Sequence, residues 1–270
     1  MDDIIAYRKN DNTFFEKMNK MFWCSVGAFH SNILIDLIIT NIRHYIGCKM
    51  IIHVSNKRLI PSNNHSDVVI NRETIEVTRN GPEVFRLHYS NLKIILNTAH
   101  SRDKIILLPG NGIFTKECHN DLNNFEMSYL DMNTRFLKHD PYFLPFYNFI
   151  KVHKDPVLDI GSLVTMQHEG SFYRASLLRN IMPFIRRSTT VNYCPIRPCI
   201  LEEIVIPTLI WQHFPYLIQN YTTPILHRYF EWNTTKVNIT RKRETCGLKL
   251  VHDKFEKNTI QHLTLLGMKP

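Results

Sequence analysis

Apolar residues fall along this chain in short runs that alternate with longer amphipathic stretches. Residues 21–29, MFWCSVGAF, are an aromatic-rich apolar run and predict a strand. Residues 32–45 repeat Leu34, Leu37, Ile38 and Ile42 near helical spacing, with Ser31 in position to cap the helix. KMIIHV, residues 49–54, predicts a second strand, and short strands follow around Val69 and Ile75. Pro82 suits a helix start, where its missing N–H costs nothing, and residues 83–99 carry Val84, Leu87, Leu92, Ile95 and Leu96 on one face. Residues 104–108 then form an apolar strand that breaks into Pro109, Gly110, Asn111 and Gly112.

The second half is less regular. Residues 114–156 hold Pro141, Pro145 and Pro156 and read as loops around a helix near 142–152. SLVTMQ, residues 162–167, predicts a strand leading into HEGSFYRASLL, and residues 174–185 predict a helix. Residues 186–198 read as a loop, followed by a helix whose first turns hold Glu202 and Glu203 and which Pro207 should kink or shorten. ILHRYFEW and CGLKLV predict closing strands, and residues 255–266 a last helix. Strands and helices alternating from end to end predict an α/β fold in one domain. Ligands of open α/β sheets bind beyond the carboxyl ends of the strands, which draws attention to the Gly110-Asn111-Gly112 turn.

Composition narrows the classes. Hydrophobic residues make up 44% and charged residues 21% of the 270, the balance of a globular chain. No apolar run reaches the ~18 residues of a membrane span, and the polar N-terminus does not read as a signal peptide. The expectation is a soluble, cytoplasmic protein. The six cysteines show no CxxC pair; Cys194 and Cys199 form a lone C-x4-C, a weak zinc signal. Buried or free thiols in a reducing compartment are expected, and a disulfide framework is not. The net charge of +9 favours a polyanionic partner such as nucleic acid, an anionic glycan or a nucleotide diphosphate.

Several residues could carry chemistry. Glu202 and Glu203 head an apolar helix, where acids ordinarily serve the helix dipole, although a general base would suit the same place. In HEGSFYRA, Gly170 permits a turn or a close backbone approach beside His168 and Glu169. Lys249 alternates with Leu248 and Leu250, facing either solvent or a phosphate, and Arg228 raises the same question one strand earlier. There is no P-loop, no GxGxxG and no G-x-S-x-G elbow, which disfavours kinases, ordinary dinucleotide enzymes and serine hydrolases.

Taken in order, these pieces resemble the core-2/I-branching β-1,6-N-acetylglucosaminyltransferase family, which includes the peptide O-xylosyltransferases. The resemblance runs from about Phe22 to Leu266. The second strand matches the family's His-Val-Asp-like ending as His53-Val54-Ser55-Asn56, with the acid replaced by Ser55. Leu108-Pro109-Gly110-Asn111-Gly112-Ile113-Phe114 is similar to its glycine turn before a lysine, here Lys116. EGSFYRASLLRNI looks like its acceptor-side segment, LEEIVIPTLIW like its acidic pair before a helix, and CGLKLVHDKFEKNTIQHL like its terminal strand with a diphosphate-binding lysine.

The resemblance implies a GT-A-like, Rossmann-type mixed sheet flanked by helices, with a nucleotide-binding part at about 20–115 and an acceptor and catalytic part at about 116–270. It implies an inverting, metal-independent transfer of xylose or N-acetylglucosamine from a UDP-sugar to an oligosaccharide or glycoprotein hydroxyl. Glu203 would be the base. Val54, Ser55, Asn111, Arg228, Lys249 and Lys254 would hold the nucleotide sugar, and Glu169, Gly170, Ser171 and Glu202 would meet the sugar or acceptor. No cofactor, metal or nucleic acid is expected. The rival reading is a non-enzymatic basic α/β module that binds nucleic acid or an anionic glycan, which would need an extended basic face instead of one convergent pocket.

Overall fold

The structure is a computed structural model. It describes residues 21–28, 32–54, 66–73, 75, 81–110, 112–128, 138–166, 168–217, 221–222, 225–227 and 246–249. Ser31 and the expected last helix at 255–266 lie outside these residues, as does all but Ile75 of the short strand expected around that residue, and Ile75 itself is not in a strand.

Strand β1 (Phe22–Ala28) leads to helix α1 (Asn32–Tyr45), β2 (Lys49–Val54) and β3 (Val68–Asn71). Helix α2 (Glu83–Thr98) returns the chain to β4 (Lys104–Pro109). After β4 come β5 (Gly112–Phe114), α3 (His119–Asn124), β6 (Met127–Ser128), α4 (Leu144–His153), β7 (Ser171–Arg174) and α5 (Ala175–Arg187). The short α6 (Thr189–Asn192), α7 (Leu201–His213), β8 (Tyr221–Thr222), β9 (Leu226–His227) and β10 (Gly247–Lys249) complete the described elements.

Seven strands form one mixed sheet in the order β3-β2-β1-β4-β7-β6-β8. The first four are mutually parallel, and β7 runs antiparallel to β4 and β6. Period-two alternation divides the side chains of the central strands between two cores. Trp23, Ile51, Ile105 and Leu107 pack with α2, α4, α5 and α7. Cys24, Val26, Met50, Ile52, Ile106 and Leu108 pack with α1 and β5 on the other face. Burial on both faces accounts for the nearly unbroken apolar run of β4. The Rossmann-type mixed sheet flanked by helices expected from the sequence is therefore the fold observed.

A second, three-stranded sheet, β5-β10-β9, stands at the carboxyl end of β4. Asn41 of α1 fixes its inner edge. Its amide donates to the Phe114 carbonyl at 2.9 Å, and its carbonyl accepts the Phe114 N–H at 2.7 Å. Helix α1 ends where Gly47, at φ 64°, donates its N–H to Ile42 O at 3.1 Å.

Two expectations need correction. SLVTMQ is not a strand beyond a single bridging residue at Thr165. Its backbone bonds go to α7: the Val164 N–H donates to Thr208 Oγ1, the same hydroxyl donates to Val164 O, and the Met166 N–H donates to Glu203 O at 2.8 Å. The cysteines are not all free thiols either. Cys118 is bonded to Cys246 and Cys194 to Cys199, leaving Cys24 and Cys48 as buried thiols. The first pair is 128 residues apart and meets because β10 pairs with β5, a proximity that cysteine spacing does not encode. Disulfides persist in oxidising surroundings, so the pairing removes the argument for a reducing compartment. No helix among the described residues is long and apolar enough to cross a membrane.

Thiol titration of the denatured, unreduced protein should find two reactive cysteines, Cys24 and Cys48. Reduction should lower unfolding stability by about 2–5 kcal/mol. Six titratable thiols before reduction would contradict the pairing.

Candidate functional site

The carboxyl ends of β1, β2 and β4 converge at the edge of the sheet where the small sheet begins. The turn at residues 168–170 is bonded to β4 beside them. Gly170 sits at φ 73°, a left-handed conformation that favours glycine. Its N–H donates to Leu107 O at 2.9 Å, and its carbonyl accepts the Ile225 N–H at 2.9 Å. The Ile225 carbonyl in turn accepts the Cys246 N–H at 2.9 Å, and the Cys246 carbonyl accepts the N–H groups of Thr115 and Lys116. One run of backbone bonds thus links the central sheet, the turn and the last described strand.

This run sets the register of β10. Gly247 pairs with Phe114, Leu248 with Ile113 and Lys249 with Gly112. Lys249 is therefore opposite the glycine that ends the Gly110-Asn111-Gly112 turn, more than a hundred residues away in sequence. Ser171, at the start of β7, pairs with Leu107 and is buried, as is Glu169. Val54 is the last residue of β2 and pairs with Ala28. Ser55, Asn111, Arg228 and Lys254 lie outside the described residues.

Glu203 is buried in the first turn of α7, with 2% of its surface exposed, and Glu202 beside it is partly buried. Pro207 lies within α7 without ending it. Lacking an N–H, it cannot bond the carbonyl four residues back, which is that of Glu203. Met166 supplies the donor instead. The candidate base is thereby tied, through its own main chain, to the segment that enters the 168–170 turn two residues later. The main chain of Glu203 is thus bonded to the segment before the turn, and the β5–β10 ladder sets Lys249 opposite Gly112.

A buried polar group beneath the site was not foreseen as a unit. His88 of α2 has Nδ1 2.7 Å from Ser25 Oγ, and its ring meets that of His168 edge-on at 4.6 Å between centroids. Asn91, one turn further along α2, donates its amide to Ser25 Oγ at 3.0 Å and to the Ile51 carbonyl at 3.1 Å. Asn71 donates to Ser90 Oγ and to Asn91 Oδ1, and Ser90 donates to Glu73, a bond that lowers the Glu73 pKa. His53 Nε2 donates to the Glu73 carbonyl at 2.8 Å. The sequence did carry a signal: His88 and Asn91 occupy the buried face of α2 between Leu87, Leu92 and Ile95, where apolar residues are the rule.

Burial, and then the neighbouring His168 and His53, hold His88 well below its ordinary pKa, and burial lowers that of His53 as well. Among the described residues no group of three or more His, Cys, Asp or Glu side chains converges as a metal site.

No protein-family model matches this chain, and no characterised protein matches it by sequence. Among solved structures it is similar to the galactosyltransferase LgtC, crystallised with donor and acceptor sugar analogues. The TM-score is 0.44 with 9% identity, over 90% of this chain and 94% of that one. A superposition this loose bears on neither ligand nor mechanism.

The depressed His88 sets a pH dependence. The unfolded ring takes up a proton near pH 6.5, whereas the buried ring resists it. Stability is then full above that pH and falls below it, by about 1.4 kcal/mol per pH unit for one such ring. Urea titrations between pH 8 and 5 should show this decline, and His88→Gln should make it shallower, the remainder coming from the other histidines with lowered pKa, His53 and His213. An unchanged slope in that variant would refute the assignment to His88.

Proposed function

We propose that the protein is an inverting glycosyltransferase that moves xylose or N-acetylglucosamine from a UDP-sugar to a glycan hydroxyl without a metal ion. The observation that carries this reading is the register of β10 on β5, which brings Lys249 opposite Gly112 at the carboxyl end of β4. In an open α/β sheet that edge is where ligands bind. The buried Glu203 carboxylate supports it, held on a helix whose main chain is bonded to the segment entering the 168–170 turn.

In this mechanism a Glu203 carboxylate oxygen takes the proton of the acceptor hydroxyl as its oxygen attacks the anomeric carbon. The bond from that carbon to the diphosphate breaks, and UDP leaves with the bonding electron pair. Lys249, with Arg228 and Lys254, neutralises the developing charge, which is electrostatic work that fixed cations can do in place of a metal. Val54 and Ser55 line the uridine pocket. Asn111, Glu169, Gly170 and Ser171 meet the sugar or acceptor, with Glu202 beside the base. Residues 1–270 act as one domain in this reading.

Purified protein given a panel of UDP-sugars with oligosaccharide acceptors should release UDP from UDP-xylose or UDP-N-acetylglucosamine. Glu203→Gln should lower kcat by about 10²–10⁴-fold and leave UDP affinity unchanged. Lys249→Ala should weaken UDP binding. EDTA should leave the rate intact, and a loss restored by Mn²⁺ would overturn the metal-free claim. The basic-module reading makes the opposite forecast: no affinity for nucleotide sugars, and DNA binding that falls steeply with salt.

A further inference from the structure

We propose that a cleft at the far end of α7 binds a small hydroxylated anion, a sugar-sized molecule bearing a carboxylate or phosphate. This inference does not rest on the transferase reading. The cleft has a volume of about 620 Å³ and lies between α4, α5, the loop at residues 155–162 and the end of α7. That is the size of an ordinary small-molecule site, ~300–1,000 Å³. It shares no residue with the candidate active site, and its α7 residues lie about 15 Å along the helix from Glu203.

Charge indicates the anion. Lys151, in the last turn of α4, Lys154, just beyond it, and Arg187, at the end of α5, all line the cleft. None of the three forms an ion pair among the described residues. Two carboxylates also line it, but both are engaged with the fold. Asp155 accepts from Ser188 Oγ at 2.6 Å, from the Thr190 N–H at 2.7 Å and from the Val157 and Leu158 N–H groups. Asp159 accepts from Ser162 Oγ at 2.6 Å and from the Gly161 N–H. With their oxygens so occupied, the acids organise the wall while the cations remain available.

Polar wall atoms indicate the hydroxyls. Gln212 donates through Nε2 to the Asp159 carbonyl at 3.1 Å, and its Oε1 is buried with no hydrogen-bond partner among the described residues. The same is true of His213 Nε2. A buried carbonyl oxygen needs a donor, which ionised carboxylate or phosphate oxygens cannot supply and a sugar hydroxyl can. The wall is also preorganised. Phe184 stacks on His213 at 3.9 Å between centroids, and the Arg187 guanidinium lies 5.0 Å from the centre of the same Phe184 ring. Burial, then Arg187, holds His213 below its ordinary pKa.

Isothermal titration of the full chain with glucuronate and with glucose 6-phosphate tests the proposal, with glucose and inorganic phosphate as comparators. Both acidic sugars should bind at least ten-fold more tightly than either comparator. Lys151→Gln combined with Lys154→Gln, both at exposed positions, should weaken them at least ten-fold while far-UV circular dichroism stays unchanged. Gln212→Leu should weaken the acidic sugars and leave inorganic phosphate unaffected. The proposal is overturned if neither acidic sugar binds, if glucose or phosphate alone binds equally well, or if the double variant binds normally. Loss of acidic-sugar binding in Lys249→Ala would also overturn it, because the sugars would then be entering the candidate donor site.

Discussion

The run of main-chain hydrogen bonds through Gly170 is the constraint on which the site depends. Leu107 O, Gly170, Ile225, Cys246 and the amides of Thr115 and Lys116 form one connected series. It fastens the antiparallel half of the large sheet to the small sheet beyond β4. Buried main-chain groups must find partners, so the loops meeting here cannot slide without leaving several unpaired. The Cys118–Cys246 bond and the Asn41 clamp on Phe114 hold the same strands from outside the ladder. The result is a fixed register for Lys249.

A second constraint comes from a missing donor. Pro207 deprives the Glu203 carbonyl of its helical partner, and Met166 takes that place. One turn along, the Thr208 hydroxyl serves both the N–H and the carbonyl of Val164. Together these bonds lay residues 164–166 along α7. The apolar, β-branched composition of that segment suits a strand, yet its hydrogen bonds are made with a helix.

Much of the fold could be read from the chain because its signals are local. The apolar faces of α1 and α2, the buried runs of β1, β2 and β4, and Pro82 at a helix start all report on their own neighbourhood. What was misjudged depends on distant partners. Val164 looks like a strand residue until α7 is beside it. Cys118 looks like a lone thiol until β10 brings Cys246. Of the candidate site, the resemblance names Lys249 and Asn111 for one ligand, the β5–β10 register sets Lys249 opposite Gly112, and the His88–Ser25–Asn91 group requires the packing of α2 on β1. The partner of Gly112 is likewise distant in sequence, since it is Lys249 of β10.

The central claim is that the edge between β4 and β10 receives a nucleotide diphosphate. A crystal structure of the protein soaked with UDP tests it most directly. The account predicts density for the diphosphate beside the β5–β10 ladder, within hydrogen-bonding reach of Lys249 Nζ, with the uracil toward the end of β2 at Val54. Well-ordered UDP elsewhere, for instance in the cleft at the end of α7, or no UDP at saturating concentration, would contradict it.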